Sequence, residues 1–447
     1  DGNLYAGSVG GTGNLYRINK ATGTNTLVGA TGFINITGLT LVTSAPSPTP
    51  TPSPVVSTIQ FSTSSYPVPE ATPDVIVTVT RSGDTSAAAT VSYATSDASG
   101  SNNCNVTSGS ASSRCDYITT IGTLHFAAGE TLKILSIPII DDAYAEGSES
   151  FTITLSNPSD ATLGAPATAT FTITDNDAVN GTNPIDISNF FVRQHYIDFL
   201  NREPDPPGFG FWTGEIDNCT PKPQCTEIKR INVSAAFYLS IEFQGTGYLV
   251  ERIYKAAYGD SSGTSTFNGV HQLSVPVVRF NEFLSDTQEI GQGVIVNQGN
   301  WQQQLENNKQ AFAAELVQRS RFITAFPTSM TAAQFVDALN ANAGNPLSTT
   351  ERNQLVSDLA TSAKTRAQVL RAVAEDQDLN NAEFNRAFVL MQYFGYLRRN
   401  PNDPQDTDYT GFDFWLTKLN QFNGNFVNAE MVKAFISSGE YRNRFGP

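Results

Sequence analysis

The sequence predicts a multidomain chain, all-β in its first part and all-α beyond it: a short N-terminal β-sheet segment, a proline-rich linker, an antiparallel sandwich and a C-terminal helical domain. Three observations predict this order. Apolar and polar residues alternate in short runs between 56 and 178, broken by Gly, Pro, Asn and Asp. Beyond Asn183 the apolar period becomes helical. Between 44 and 55 proline recurs at nearly every second position.

Residues 1–43 read as short strands between glycine turns, with Asn3-Leu4-Tyr5 and Asn14-Leu15-Tyr16 each following a glycine, then apolar runs at 26–28 and 34–42. The repeated Asn-Leu-Tyr, with Ala21-Thr22-Gly23, resembles one blade of a β-propeller. A sheet this small buries too little to stand alone, so it is expected to pack on the rest of the chain, on a neighbouring subunit or on further blades upstream. The segment 44–55 is expected to be extended, close to polyproline II, as a semi-rigid spacer.

In the sandwich, 56–178, seven strands are expected at 58–62, 75–80, 90–93, 122–126, 132–140, 151–155 and 169–173. Between the fifth and sixth lies an acidic turn holding Asp141, Asp142, Glu146 and Glu149. Four carboxylates so close repel unless a cation or water separates them. Glu70, Asp116, Asp175 and Asp177 sit where a sandwich could bring them nearby, and hard oxygen ligands in such number suit calcium. The alternative is a solvated acidic turn.

The succession Pro69-Glu70, Cys115-Asp116-Tyr117, Gly122-Thr123-Leu124-His125-Phe126-Ala127-Ala128-Gly129-Glu130-Thr131, the acidic turn, Leu155-Ser156-Asn157-Pro158 and Ile173-Thr174-Asp175-Asn176-Asp177 resembles a Calx-beta domain. The resemblance implies a calcium site of structural role. Its ligands would be Glu70, Asp116, Asp141, Asp142, Glu146, Glu149, Asp175 and Asp177, with the Tyr144 carbonyl. Two features depart from the pattern: Asn176 stands where the fully acidic motif has a carboxylate, and an insertion bounded by Cys104 and Cys115 precedes Asp116.

From 185 to 447 the chain reads as helical, with helices expected at 310–324, 332–341, 351–362, 366–375 and 381–399, and capping-box spacing in Ser348-Thr349-Thr350-Glu351. This half contains a repeat. Phe191-Val192, Tyr196, Leu200, Arg202, Pro204, Asp205, Gly208, Phe209, Phe211 and Trp212 recur as Phe388-Val389, Tyr393, Leu397, Arg399, Pro401, Asp403, Gly411, Phe412, Phe414 and Trp415. With Arg230 to Phe237 and Glu242-Phe243, these segments resemble the bacterial domain of unknown function numbered 4214, a helical family of secreted proteins. Arg202, Asp205, Trp212, Arg399, Asp403 and Trp415 are a candidate binding loop. Equally, the arginines cap helix ends while the tryptophans anchor the core.

The four cysteines fall in two local pairs, Cys104 with Cys115 and Cys219 with Cys225, which suits two disulfides in an oxidising compartment. Zinc is the lesser alternative, because neither pair has CxxC spacing and His125, His195 and His271 are far apart. Net charge is −15, concentrated in 58–178, where 13 Asp and Glu face 3 Lys and Arg. That sign argues against nucleic acid as a partner. No run reaches the roughly 20 apolar residues of a membrane helix. The chain begins at Asp1 without a signal peptide, read as a removed secretion signal or a processed fragment. No hydrolase, metalloprotease, P-loop or dinucleotide motif occurs, and an enzyme is not expected.

These readings converge on a secreted, extracellular, bacterial structural protein of the cell surface. It is expected to self-associate into a surface layer or filament by docking its N-terminal strands on a neighbouring subunit, with calcium stiffening the sandwich. The alternatives are an adhesin that binds a surface glycan or protein, and an accessory scaffold of a larger enzyme.

Overall fold

Short-period alternation and helical periodicity both become regular structure in the computed structural model, which describes residues 4–7, 13–30, 56–96, 104, 107–178, 181–219 and 222–447. The chain divides into two units, 1–55 and 56–447.

In the first unit, β1 (Leu4–Gly7), β2 (Asn14–Ile18) and β3 (Asn25–Ala30) form an antiparallel meander in that order. The β2–β3 turn is built on Asn19, whose side chain accepts from Ala21 N at 2.9 Å, with Gly23 at φ 69°. Leu27 and Val28 are exposed. Among the described residues no sheet closes into a propeller, and the propeller-blade resemblance is not supported. The run expected at 34–42 and the linker at 44–55 lie outside the described residues.

The second unit begins with the sandwich: β4 (Thr58–Phe61), β5 (Ser65–Pro69), β6 (Asp74–Ser82), β7 (Ala89–Thr95), β8 (Ile121–Phe126), β9 (Leu132–Pro138), β10 (Glu149–Ser159), β11 (Thr162–Leu163) and β12 (Thr168–Thr174). One sheet has the order β5-β12-β10-β7-β8 and the other β11-β4-β6-β9. Alternation sets the faces: in β6, Val77 and Val79 are buried while Ile76 is exposed. Tyr66, Phe171, Phe151 and Tyr117 stack in series at centroid distances of 4.7, 4.7 and 3.8 Å. Two strands beyond the seven expected are present. β5 carries Pro67 and Pro69 and so reads as a loop, yet it lies at a sheet edge, where a missing N–H is tolerated. β11 is two residues long.

The helical half contains α1 (Ser188–Leu200), α2 (Pro206–Asp217), α3 (Pro223–Tyr238), α4 (Ile241–Gly245), α5 (Gly247–Tyr258), α6 (Phe280–Gly291), α7 (Trp301–Leu316), α8 (Ser320–Ala325), α9 (Ala332–Asn342), α10 (Thr349–Ala360), α11 (Arg366–Ala374), α12 (Gln377–Gln392), α13 (Thr410–Gln421), α14 (Met431–Ile436) and α15 (Gly439–Arg442). The helix expected at 310–324 is two, α7 and α8, and that expected at 381–399 ends in a π turn at Tyr393–Leu397. A hairpin, β13 (Asp260–Ser265) with β14 (His271–Pro276), interrupts the helices. The capping box at Ser348 is formed, with Ser348 Oγ accepting from Glu351 N at 3.3 Å.

Sandwich and helices share a core, since Ile118 and Ile140 belong to the helical cluster. Arg193 donates to Pro73 O at 2.7 Å and Ile139 O at 3.1 Å, and Gln288 Nε2 donates to Thr119 O at 2.8 Å. Within that core His195 is fully buried, and its hydrogen bonds fix one direction. Phe191 O accepts from Nδ1 at 2.7 Å, so Nε2 accepts from Ser234 Oγ at 2.7 Å. Ser234 Oγ in turn accepts from the Tyr396 hydroxyl.

Candidate functional site

The sandwich end beyond β9, β10 and β12 collects the acidic residues into two groups. Glu70, Asp141 and Asp177 form one, Asp116, Asp142 and Glu146 the other, each with carboxylate oxygens within 4.8 Å of one another. Backbone N–H groups hold the framework: Asp142 N donates to Glu70 Oε1 at 3.3 Å and Tyr144 N to Asp142 Oδ1 at 2.7 Å. Asn176, the departure from the acidic pattern, donates from Nδ2 to Asp141 Oδ1 at 3.0 Å, so it stays in the cluster as a donor.

Asp175, another of the ligand candidates, accepts three backbone hydrogen bonds. Its Oδ2 accepts from Glu146 N at 2.8 Å and Gly147 N at 2.7 Å, and its Oδ1 from Asp177 N at 2.7 Å. Both oxygens therefore organise the two loops that carry ligands. Glu149 is buried, and its carboxyl group is in hydrogen-bond contact with Asp116. The Tyr144 hydroxyl reaches out of the cluster to Asn443 O at 3.2 Å.

Electrostatics mark the cluster as unsatisfied. Burial, then the charge of Asp177, pushes Glu70 up to about 8. Burial also raises Glu149 to about 7 and Asp177 to about 6, and lifts Asp142 well above the carboxylate range. Asp142 Oδ2, Glu149 Oε1 and Asp177 Oδ2 are buried and accept no hydrogen bond. An all-oxygen set with orphaned buried acceptors fits calcium, which would supply the missing positive charge and release the protons.

Both cysteine pairs are bonded, Cys104 to Cys115 and Cys219 to Cys225, which sets zinc aside. The first bond closes the loop running into Asp116.

The candidate binding loop resolves into two copies of one arrangement. Arg202 donates to Glu242 through Nε at 2.7 Å and Nη2 at 2.9 Å, and lies 5.0 Å over the Tyr196 ring. Arg399 donates to Glu440 through Nε at 2.6 Å and Nη2 at 2.9 Å, and lies 5.4 Å over the Tyr393 ring. Trp212 packs on Phe237 at 6.0 Å and Trp415 on Phe435 at 5.6 Å. Asp205 caps α2 and accepts from Arg202 at 3.3 Å. In the second copy the Arg399 contact passes to Asp406 at 2.8 Å, while Asp403 accepts from Arg279 and Asn400. The longer second loop is the reason. Glu242, Glu440 and Asp406 were not among the candidates. The signal for the glutamates was a second repeated motif, Ser240-Ile241-Glu242-Phe243 against Ser438-Gly439-Glu440-Tyr441.

With this geometry in place, comparison with known proteins assigns the sandwich. Residues 55–177 match the Calx-beta domain family. The match ends there, so it gives the helical half no family, and the resemblance to family 4214 is not supported. Calx-beta similarity extends to sodium/calcium exchanger 1 of Mus musculus, 35% identical over 141 residues, covering 27% of this chain and 13% of that protein. Adhesion G-protein coupled receptor V1 of Danio rerio is 39% identical over 90 residues, 20% of this chain and 1% of that protein. Among solved structures, the apo-form Calx CBD1 domain is 34% identical with a TM-score of 0.24, covering 27% of this chain and 99% of that one. The calcium binding domain CBD12 of CALX1.1 is also 34% identical with a TM-score of 0.24, covering 27% and 47%. The chain thus spans only a small part of the two curated relatives.

These relatives overturn the expected bacterial surface-layer or filament protein. They are an ion exchanger and an adhesion receptor from vertebrates, and nothing in them supports a bacterial, cell-surface, self-assembling structural role or docking by N-terminal strands. The Calx-beta acids form two groups of three whose carboxylate oxygens lie close enough together to hold a metal ion. Among the described residues no helix is long and apolar enough to cross a membrane.

Proposed function

We propose that this chain is a calcium-binding module of an adhesive or regulatory protein, in which the cation orders the Calx-beta loops that grip the helical body. The observation that carries the reading is continuity between the acid cluster and the junction. Arg114, two residues before Asp116, reaches Glu440 at 3.5 Å, and its carbonyl accepts from Arg444 Nε at 3.0 Å. Tyr144, two residues after Asp142, donates to Asn443 O. A cation bound by Asp116, Asp142 and Glu146 would tie both loops at once, giving calcium a structural role at the junction.

Adhesion is favoured by the similarity to an adhesion receptor, with another protein or a glycan as the partner. The two disulfides suit an oxidising compartment.

The test is calorimetric titration of calcium into chelator-treated protein, with hydrogen exchange of the loops at 112–118 and 140–149. Saturable binding with added protection in both loops and in 439–445 is expected. Binding without protection at 439–445 would remove the junction role, and absence of binding would remove the whole reading.

A further inference from the structure

The two copies of the arginine–glutamate arrangement differ in what covers them. Over the second copy lies the sandwich: a 440 Å³ cavity there is lined by Arg114, Cys104 and Tyr144 on one side and by Gly439, Glu440 and Asn443 on the other. Arg114 brings a guanidinium to Glu440, which already pairs with Arg399. Two arginines thus face Glu440 and Asp406, and the charges balance.

Over the first copy a 430 Å³ cavity remains, lined by Tyr196, Arg202, Asp205, Trp212, Ile241 and Glu242 among others. The loop that walls it contributes Val296, Asn297 and Gln298, none of them cationic. Arg202 alone faces Glu242 and Asp205, so this lining carries one negative charge more than it balances. Ring walls from Tyr196, Trp212 and Phe237 suit a planar cation, which stacks on aromatic faces while pairing with a carboxylate. Ile241, the counterpart of Gly439, stands exposed at the rim.

We infer that the cavity between Arg202, Trp212 and Glu242 is a docking site for an arginine side chain presented on a loop of a partner protein, as Arg114 is presented to the second copy within this chain. The inference does not rest on the calcium reading, because the acid cluster and this cavity share no residue.

The probe is the disulfide-closed peptide of residues 104–115, fluorescently labelled, titrated into the full chain with calcium and again with chelator. Saturable anisotropy change is expected in both conditions. Alanine in place of the peptide's arginine, or Ile241→Arg in the protein, should weaken binding by about tenfold or more. Ile241 is exposed, so this variant places a competing cation at the rim without disturbing the core. Glu242→Gln should weaken binding similarly. Equal binding of the alanine peptide, indifference to Ile241→Arg, or no binding at millimolar peptide would overturn the inference. So would a glycan panel that binds through Trp212 while the peptide does not.

Discussion

Arg444 and Asp198 form a fully buried fork, with Nη1 donating to Oδ2 at 2.8 Å and Nη2 to Oδ1 at 3.1 Å. The pair fastens the C-terminal end of the chain to α1, and Arg444 Nε continues to Arg114 O on the sandwich. Arg398 lies 3.9 Å from the same carboxylate, and burial lowers its guanidinium to about 10. Asp198→Asn leaves two buried cations without their anion and should cost about 3–5 kcal/mol. Arg444→Met leaves Asp198 beside Arg398 and should cost less. Urea denaturation of both variants checks the order.

Calcium removal should destabilise the protein, by about 2.7 kcal/mol relative to a solution holding calcium at 100 times its dissociation constant. Asp142→Asn should act oppositely in the two states. It replaces a buried acid, whose ionisation burial disfavours, by a neutral amide and so raises the melting temperature in chelator, while calcium affinity falls on the order of tenfold or more. Thermal melts with and without calcium read both effects.

Acid should unfold the helical core through His195. Burial lowers its pKa from 6.5 to about 4, so below the unfolded value the unfolded chain takes up a proton that the folded chain refuses. Stability contributed by the neutral ring is complete above pH 6.5 and is lost as pH falls toward 4, by about 3 kcal/mol. His195→Gln should flatten that limb while lowering stability at neutral pH. Urea midpoints at several pH values, taken in saturating calcium, give the slope.

The repeat predicts matched sensitivities. A Cβ at Gly208 would collide with the Tyr196 hydroxyl, and one at Gly411 with the Tyr393 hydroxyl. Gly208→Ala and Gly411→Ala should each cost roughly 1–3 kcal/mol through overpacking. Melting temperatures check this, and the tyrosine-to-phenylalanine partner of each variant should recover part of the loss.

Local pattern was readable from the residues. Buried Val77 and Val79 alternate with exposed Ile76 and half-buried Thr78 and Thr80, so β6 declares itself, and Cys104 and Cys115 lie close enough in the chain to pair. β5 was not readable, because Pro67 and Pro69 argue against a strand until the edge position is known. Nor does helical period alone register the added residue of the π turn at Tyr393–Leu397.

The sequence by itself determined the sandwich alternation, the helical repeat, the carboxylate-rich composition and the local cysteine pairs, all of which depend on periodicity or short separation. Tertiary structure decided which carboxylates meet, for Glu70 and Asp177 are far apart in sequence and converge only through the sheet order. It also made Asp175 an acceptor for the backbone of Glu146 and Asp177, and paired Arg202 with Glu242 and Arg399 with Glu440. The physical reason is that spacing along a chain sets which face a side chain takes, while sheet order and loop path set what that face meets.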